Sequence, residues 1–240
     1  LLGGYLFTEV IMYSLGFLTA RFLFKTELME AALLGLAITL TNHVLFVLPI
    51  AITLFGDAAV TPMVAIISMD GLLVFSGSLI LMDVLASKGA TASQTMRKIL
   101  RNPPLIGISL GLVVGLLGIT LPTGFSLFAD FLGDTASPVL LFALGIILSQ
   151  SAAVSRPMLP VAIAGMKLVV HPLLALVVLG SVLQLSPELR NPGVMVAAAP
   201  CGVMAFMLAM NYAVRVDAIS RAILYSSIGS LVTVTIAAGL

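Results

Sequence analysis

The chain of 240 residues is 60% hydrophobic and only 9% charged, and its formal net charge is +1. Its mean hydropathy of +1.22 lies outside the range of ordinary soluble domains. Several stretches reach the roughly 20 apolar residues needed to cross a bilayer, so we predict an all-α polytopic membrane protein. The net charge says nothing about nucleic acid, and no basic run is long enough to suggest a nucleic-acid partner. The single cysteine, Cys201, excludes an intramolecular disulfide.

Eight membrane spans are predicted along the chain. In order, they cover residues 1–24, 31–55, 61–86, 103–121, 135–152, 158–183, 192–213 and 217–240. The longest polar link is 87–102, and residues 122–134 are predicted to form a separate interfacial half-helix. The fourth span carries a glycine at every fourth position, namely Gly107, Gly111 and Gly115. Because this spacing lets another helix approach closely, we expect a helix to pack there.

Basic residues near the ends of the spans predict the orientation of the chain, because cytoplasmic loops are enriched in Lys and Arg. We place the link 88–101 in the cytoplasm. The alternation of the spans then leaves only Arg190 in an external loop. The basic residues on the cytoplasmic side are Arg21, Lys25, Arg156, Arg215 and Arg221, in addition to those of the link. Both ends of this chain are therefore predicted to lie outside.

Two of the predicted spans are interrupted. The second contains Thr41-Asn42-His43 with Pro49 further on, and the seventh contains Ala199-Pro200-Cys201-Gly202. A proline removes a helical hydrogen bond, and freed backbone groups in hydrocarbon need another partner. Two interrupted helices far apart in the chain indicate a transporter's binding site. The candidate substrate-binding residues are therefore Asn42, His43, Pro49, Pro200, Cys201 and Gly202.

The role of the polar residues at the first break has two interpretations. The Asn42 amide offers two donors and an acceptor, so beside an unwound backbone it can hold an oxygen of an anion. Alternatively, Asn42 caps the broken half-helix. We favour the substrate role because the break recurs at Pro200. For His43, a bond to a neighbouring helix is at least as good an explanation as a ligand contact.

Four further titratable residues lie inside predicted spans, where charged groups are costly and mark functional sites. Asp70 is equally suited to hold a proton or cation and to make a structural hydrogen bond to another helix. Lys167 and His171 share a helix face because they are four residues apart. Lys167 can attract an organic anion or pair with Asp70 or Glu9, and we favour the ion pair slightly. The candidate coupling and charge residues are Glu9, Asp70, Lys167 and His171, and no metal site is predicted.

Several stretches in a fixed order resemble the auxin efflux carrier superfamily, including its bacterial malonate and organic-anion transporter members. They are Asn42 with Pro49 and Gly56 at seven-residue intervals, Arg101-Asn102-Pro103, Ala136-Ser137-Pro138, Lys167 with His171-Pro172, and Ala199-Pro200-Cys201-Gly202. At Thr41 and Val47, members of the family often carry proline and glycine. The first break is therefore expected to be less sharply unwound in this chain.

The resemblance implies ten helices in two inverted five-helix repeats, resembling the architecture of bile-acid symporters, with two broken helices that cross near the middle of the membrane. Residues 1–87 would hold three helices of the first repeat, and the family's first two helices would be missing from this chain. Residues 88–102 would form a cytoplasmic linker. The second repeat would cover 103–240, with a scaffold part at 103–152 and a transport part at 158–240.

We therefore predict a secondary transporter of a small organic anion, such as malonate, that works by alternating access in the cell (inner) membrane. It is not expected to be an enzyme or to need a cofactor. Coupling to H⁺, coupling to Na⁺ and uniport stay open, as does a homodimer. The alternatives are a sodium-coupled bile-acid-type symporter, a membrane-embedded enzyme and a non-transporting receptor. Buried carboxylates that cluster with Asn42 and backbone carbonyls would favour sodium.

Overall fold

The computed structural model describes residues 1–55, 60–87, 91–101, 103–150 and 156–239. Within these residues, regular structure is helical apart from one isolated β-bridge. The α-helices are α1 (Leu2–Leu18), α2 (Leu28–Thr39), α3 (Leu48–Phe55), α4 (Val60–Met69), α5 (Ser76–Ala86), α6 (Ala92–Ile99), α7 (Pro103–Leu116), α8 (Thr123–Gln150), α9 (Met158–Gly165), α10 (His171–Ala175), α11 (Pro187–Ala197), α12 (Met204–Asn211) and α13 (Asp217–Ala238).

Four continuous helices are long and apolar enough to cross a membrane. They are Leu2–Leu23, Thr61–Ala86, Met158–Val182 and Asp217–Ala238, and the shorter apolar helices Leu28–Thr39 and Leu105–Leu116 accompany them. Many of their large side chains are exposed, including Phe22, Leu73 and Leu231. Exposed apolar side chains on long apolar helices are what a bilayer requires. The prediction of an all-α polytopic membrane protein is confirmed.

Two π-helical segments interrupt the long helices at charged residues. One covers Asp70–Phe75 and begins at Asp70, and the other covers Met166–Val170 and contains Lys167. In the second segment, the backbone N–H of His171 bonds to the carbonyl of Met166, five residues earlier. The next residue is Pro172, which has no N–H and so cannot continue regular α-helical bonding. Such π segments are rare and frequently occur at functional sites.

The two interrupted helices cross at their breaks. Thr41 and Cys201 form an antiparallel β-bridge. The Gly202 N–H donates to the Leu40 carbonyl at 2.8 Å, and the Asn42 N–H lies 3.4 Å from the Pro200 carbonyl oxygen. The predicted crossing of the broken helices is therefore confirmed. The first break covers residues 40–42 and the second covers 198–203. That the first break is less sharply unwound than in other members of the family stays a prediction.

The carbonyl groups freed at the second break find partners on other helices. Pro200 has no N–H to bond to Val196 four residues earlier, and the Thr41 hydroxyl donates to the Val196 carbonyl at 3.3 Å. The Thr233 hydroxyl donates to the Ala198 carbonyl at 2.7 Å. Buried backbone carbonyls need such partners away from water. The break at Pro200 is therefore stabilised by hydroxyl side chains from two other parts of the chain.

A local structure recurs at the ends of two long helices. Leu2–Leu23 and Met158–Val182 both end in a π-helical turn, followed by a residue with positive φ and then by a hydrogen bond that spans six residues. The two sets of residues correspond in order and are separated by the same number of residues throughout: Thr19, Ala20, Phe24, Lys25 and Thr26 match Val178, Leu179, Leu183, Gln184 and Leu185.

The division of the chain into two repeats at residues 88–102 stays a prediction.

The structure corrects two expectations for the middle of the chain. Residues 122–134 are not a separate interfacial half-helix, because α8 runs without interruption from Thr123 to Gln150 and carries Pro138 inside it. A proline removes one helical bond but does not have to end a membrane helix. The helix expected to pack against Gly107, Gly111 and Gly115 is also not found among the described residues. A Cβ atom built on any of these three glycines would meet no atom of the described chain within 4 Å.

Three basic residues that were assigned to the cytoplasmic side, Arg21, Lys25 and Arg156, lie together at one end of the helices. Arg156 Nη2 donates to the Lys25 carbonyl at 3.1 Å, and Arg21 Nη1 donates to the Thr26 carbonyl at 2.6 Å. Arg190 lies at the other end of the helix Met158–Val182, where its Cδ is 3.2 Å from a Cβ built on Gly180. The assignment of the end that holds Arg21, Lys25 and Arg156 to the cytoplasm stays a prediction.

Candidate functional site

Lys167 connects the helix Met158–Val182 to the crossing. Its side chain is fully buried, and Nζ donates to the Thr41 hydroxyl at 2.6 Å. Nζ also lies 3.1 Å from Nδ1 of His171. When Lys167 is protonated it can only donate, so Nδ1 of His171 then accepts this bond and the neutral ring carries its proton on Nε2. The positive charge is thereby held one residue away from Asn42.

The predicted ion pair of Lys167 with Asp70 or Glu9 is wrong. Among the described residues, no carboxylate oxygen lies within 4.0 Å of Lys167 Nζ, and Asp70 instead lies 2.9 Å from His43. The Lys167 ammonium group bonds to the Thr41 hydroxyl and contacts the His171 ring instead. Both carboxyl groups are still near enough to interact with its charge through space.

His43 and Asp70 join the first break to the π segment that follows α4. His43 Nε2 lies 2.9 Å from Asp70 Oδ2, and both side chains are nearly excluded from solvent. This close approach agrees with the alternative in which His43 contacts a neighbouring helix, although neither atom makes a well-formed hydrogen bond. The roles of His43 and Asp70 in binding or coupling stay predictions.

Glu9 brings a second carboxyl group to Asp70. Its side chain is 1% exposed, and it lies near enough to Asp70 for the two carboxyl groups to act on each other electrostatically. Within the described part of the chain, neither Glu9 oxygen has a well-formed hydrogen bond. The structure thus brings together the four predicted coupling and charge residues, Glu9, Asp70, Lys167 and His171.

Two residues of this buried polar cluster were missed by the sequence analysis. Tyr5 packs its ring against His171, with centroids 5.9 Å apart, and its buried hydroxyl has no hydrogen-bond partner among the described residues. Thr41 accepts from Lys167 and donates at the second break. The available signals were weak: Tyr5 precedes Glu9 by one helical turn, and Thr41 is next to Asn42.

The crossing cavity has a volume of about 160 Å³ and lies beside the breaks. Asn42, His43 and Asp70 line one side of it, and Val203 and Met204, where α12 begins, line another. Asn42 makes no side-chain capping bond, so the interpretation of Asn42 as a helix cap is wrong. The start of α12 also has no side-chain cap. Uncapped N–H groups at a helix N-terminus favour an anion.

The other predicted substrate residues form the crossing or lie away from it. Pro200, Cys201 and Gly202 belong to the second break, and the Cys201 N–H donates to the Ser226 hydroxyl at 3.0 Å. None of these three residues lines the crossing cavity. Pro49 is the second residue of α3, and its side chain lies outside the part of the chain that the structure describes.

Taken together, the broken crossing helices, the buried charges and the cavity define a polytopic membrane transport protein. The chain belongs to the family described as "Membrane transport protein", whose sequence model matches residues 2–238. This is the auxin efflux carrier family that the sequence motifs resemble. A protein of Rhizobium meliloti (strain 1021), named "Putative malonate transporter", is 24% identical over 232 residues, which are 95% of this chain and 72% of that protein.

Proposed function

We propose that this transporter carries a small organic anion, a carboxylate such as malonate, across the cell (inner) membrane. The observation that carries the proposal is the crossing cavity, where the Asn42 amide and the uncapped N-terminus of α12 line the same space. A helix N-terminus carries a partial positive charge. At about 160 Å³ the cavity is smaller than the roughly 300–1,000 Å³ typical of sites for drug-sized ligands, which favours a small substrate.

The charges around the cavity support the same substrate class. Lys167 is held by Thr41, next to Asn42, and a buried charge acts strongly because little water screens it. Asp70 also lines the cavity and would repel an anion if it were ionised and alone. The contact between Asp70 and His43 reduces this repulsion when the imidazole is protonated. Protonation of Asp70 itself would remove the repulsion between Asp70 and the anion.

The proposed mechanism is alternating access by an elevator-like or rocking motion. The breaks at 40–42 and 198–203 are non-helical, so the half-helices on either side can change direction without breaking helical bonds at these points. The crossing would carry the bound anion while access changes from one end of the protein to the other. A homodimer belongs to the same proposal, and light scattering of the purified protein tests it.

A sodium-coupled symporter of the bile-acid type is the second candidate function. The observation in its favour is the pair of buried carboxyl groups, Glu9 and Asp70, beside the cavity that Asn42 lines. Replacing sodium by choline in a transport assay distinguishes this candidate, because a sodium symporter would then lose accumulation.

Asn42→Ala in proteoliposomes tests the proposed binding site. The substitution removes a hydrogen bond to a charged ligand group, worth about 1.5–3 kcal/mol, so the affinity for labelled malonate should fall about ten- to a hundredfold. Asn211→Ala is the matched control, because Asn211 is exposed and ends α12 away from the cavity. Equal malonate affinities of the two variants would refute the assignment of Asn42.

A further inference from the structure

One carboxyl group in the wall of the crossing cavity lacks a well-formed hydrogen bond within the described part of the chain. Asp70 is 2% exposed, and it lines this cavity together with Asn42 and His43. Its Oδ2 lies 2.9 Å from His43 Nε2, but neither Asp70 oxygen has a hydrogen-bond partner of good geometry among the described residues. Buried polar atoms without a partner are costly and need an explanation. In the wall of a cavity, a ligand contact is that explanation.

The Oδ1 atom of Asp70 is a hydrogen-bond acceptor in either protonation state of the side chain. An ionised carboxylate only accepts hydrogen bonds. If Asp70 holds a proton, that proton lies best on Oδ2, which approaches the His43 ring nitrogen, and Oδ1 is then a carbonyl acceptor. A ligand group that bonds to this oxygen is therefore a donor.

The other polar groups of the cavity wall have the opposite requirement. The Asn42 amide offers two donors, and the first residue of α12, Met204, brings an uncapped helix N-terminus to the same cavity. Much of the remaining wall is apolar, with Leu40, Ile67 and Phe75 among its residues. A ligand that satisfies both kinds of polar wall needs a carboxylate on one part and a hydrogen-bond donor on another.

The charged and titratable groups around Asp70 favour a ligand with one negative charge. Tyr5 and Glu9 face Asp70 from α1, His43 faces it from the first break, and Lys167 from the helix Met158–Val182. Lys167 is the only lysine or arginine among these residues, and it bonds to the Thr41 hydroxyl. A second ligand carboxylate would face Asp70 without a further cation. The charged residues of the other helices that pack here lie toward the helix ends: Asp83 in α5, and Glu188 and Arg190 in α11.

We propose that the transported species is a small carboxylate with one negative charge and a nearby hydrogen-bond donor, and that Asp70 selects it. This rests on the proposed function and specifies the substrate of the same cavity. For malonate, the species that fits is hydrogen malonate: its carboxylate bonds to Asn42 and the start of α12, and its carboxyl O–H donates to Asp70. Three-carbon hydroxy acids belong to the same class. Doubly ionised malonate has no donor and is excluded.

A pair of ligands of equal size and charge tests the donor requirement on the purified full chain. 3-Hydroxypropionate and butyrate differ only in a hydroxyl group that replaces a methyl group. A site that hydrogen-bonds a substrate group rejects an analogue without it, because the buried polar atoms of the site are then left unpaired. Isothermal titration calorimetry should therefore show about ten- to a hundredfold tighter binding of 3-hydroxypropionate. Equal affinities for the two acids would overturn the inference.

The pH dependence of malonate binding tests the charge requirement. Malonamate, the monoamide of malonate, keeps one negative charge and an N–H donor from about pH 6 to about pH 8, whereas hydrogen malonate becomes scarcer as the pH rises. The apparent malonate affinity, divided by that for malonamate, should fall about tenfold per pH unit once the second malonate carboxyl group is ionised. This ratio removes the titration of groups on the protein. A ratio that is constant over this range would overturn the inference.

Asp70→Asn tests the residue that makes the selection. The asparagine amide can donate as well as accept, so the variant should bind doubly ionised malonate, and the affinity ratio should change less with pH. Asp130→Asn changes an exposed aspartate of α8 and is the matched control, which should keep the wild-type ratio. An Asp70→Asn protein with the wild-type pH dependence would overturn the role of Asp70. A wild type that binds none of these acids at any pH would instead contradict the proposed function itself.

Discussion

The closest backbone approach at the crossing makes Gly202→Ala the sharpest test of the fold. A Cβ atom on Gly202 would lie 3.0 Å from the carbonyl carbon, the carbonyl oxygen and the Cβ of Leu40. Non-bonded carbon atoms prefer separations of about 3.5–4.0 Å. The Leu40 backbone would therefore have to move away by a few tenths of an ångström. Backbone atoms cannot rotate away as a flexible side chain does. The added methyl group therefore pushes directly on the bridge between the two breaks.

The expected loss of stability follows from two effects. Overpacking of a tight contact costs about 1–3 kcal/mol. The displacement also weakens the 2.8 Å hydrogen bond from the Gly202 N–H to the Leu40 carbonyl, which is worth about 0.5–1.5 kcal/mol. The sum of about 1.5–4.5 kcal/mol corresponds to a decrease of about 3–18 °C in melting temperature for a chain of this size.

Thermal unfolding of the detergent-purified protein, followed by circular dichroism, measures this change. Gly77→Ala is the matched control, because Gly77 is an exposed residue inside α5 and a Cβ there would meet nothing within 4 Å. Alanine in a helix interior is favoured over glycine by about 0.5–1 kcal/mol, so the control should melt at or slightly above the wild-type temperature. A Gly202→Ala protein that melts with the control would refute the close crossing.

Two further predictions concern Lys167 and the orientation of the chain. Lys167→Met removes the bond to Thr41 and the buried charge, so malonate affinity should fall about ten- to a hundredfold. An unchanged dissociation constant for malonate would contradict the proposed role of Lys167. In a Cys201→Ser background, Gln94→Cys should react with an impermeant thiol reagent only from the cytoplasm, and Pro187→Cys only from outside; the reverse labelling would invert the proposed orientation.

The sequence alone was sufficient to predict the class of the protein and the place of the breaks. Long apolar stretches have few alternatives to membrane helices, because backbone groups in hydrocarbon must bond within their own segment. For the same reason, Pro200 in an apolar span predicts a break that other groups must satisfy. The polar residues Asn42 and His43, ahead of Pro49 in another apolar span, placed the partner break, and the structure brings the two together.

The partners of the buried charges were decided only by the tertiary structure. The sequence favoured an ion pair for Lys167, but the fold gives this lysine the Thr41 hydroxyl and the His171 ring, and it places Glu9 beside Asp70. These contacts join residues that are far apart in the chain. Spacing along one helix shows which residues share a face, but it does not show which other helix that face meets. Helix rotation and crossing geometry, set by the packing of the whole bundle, determine that choice.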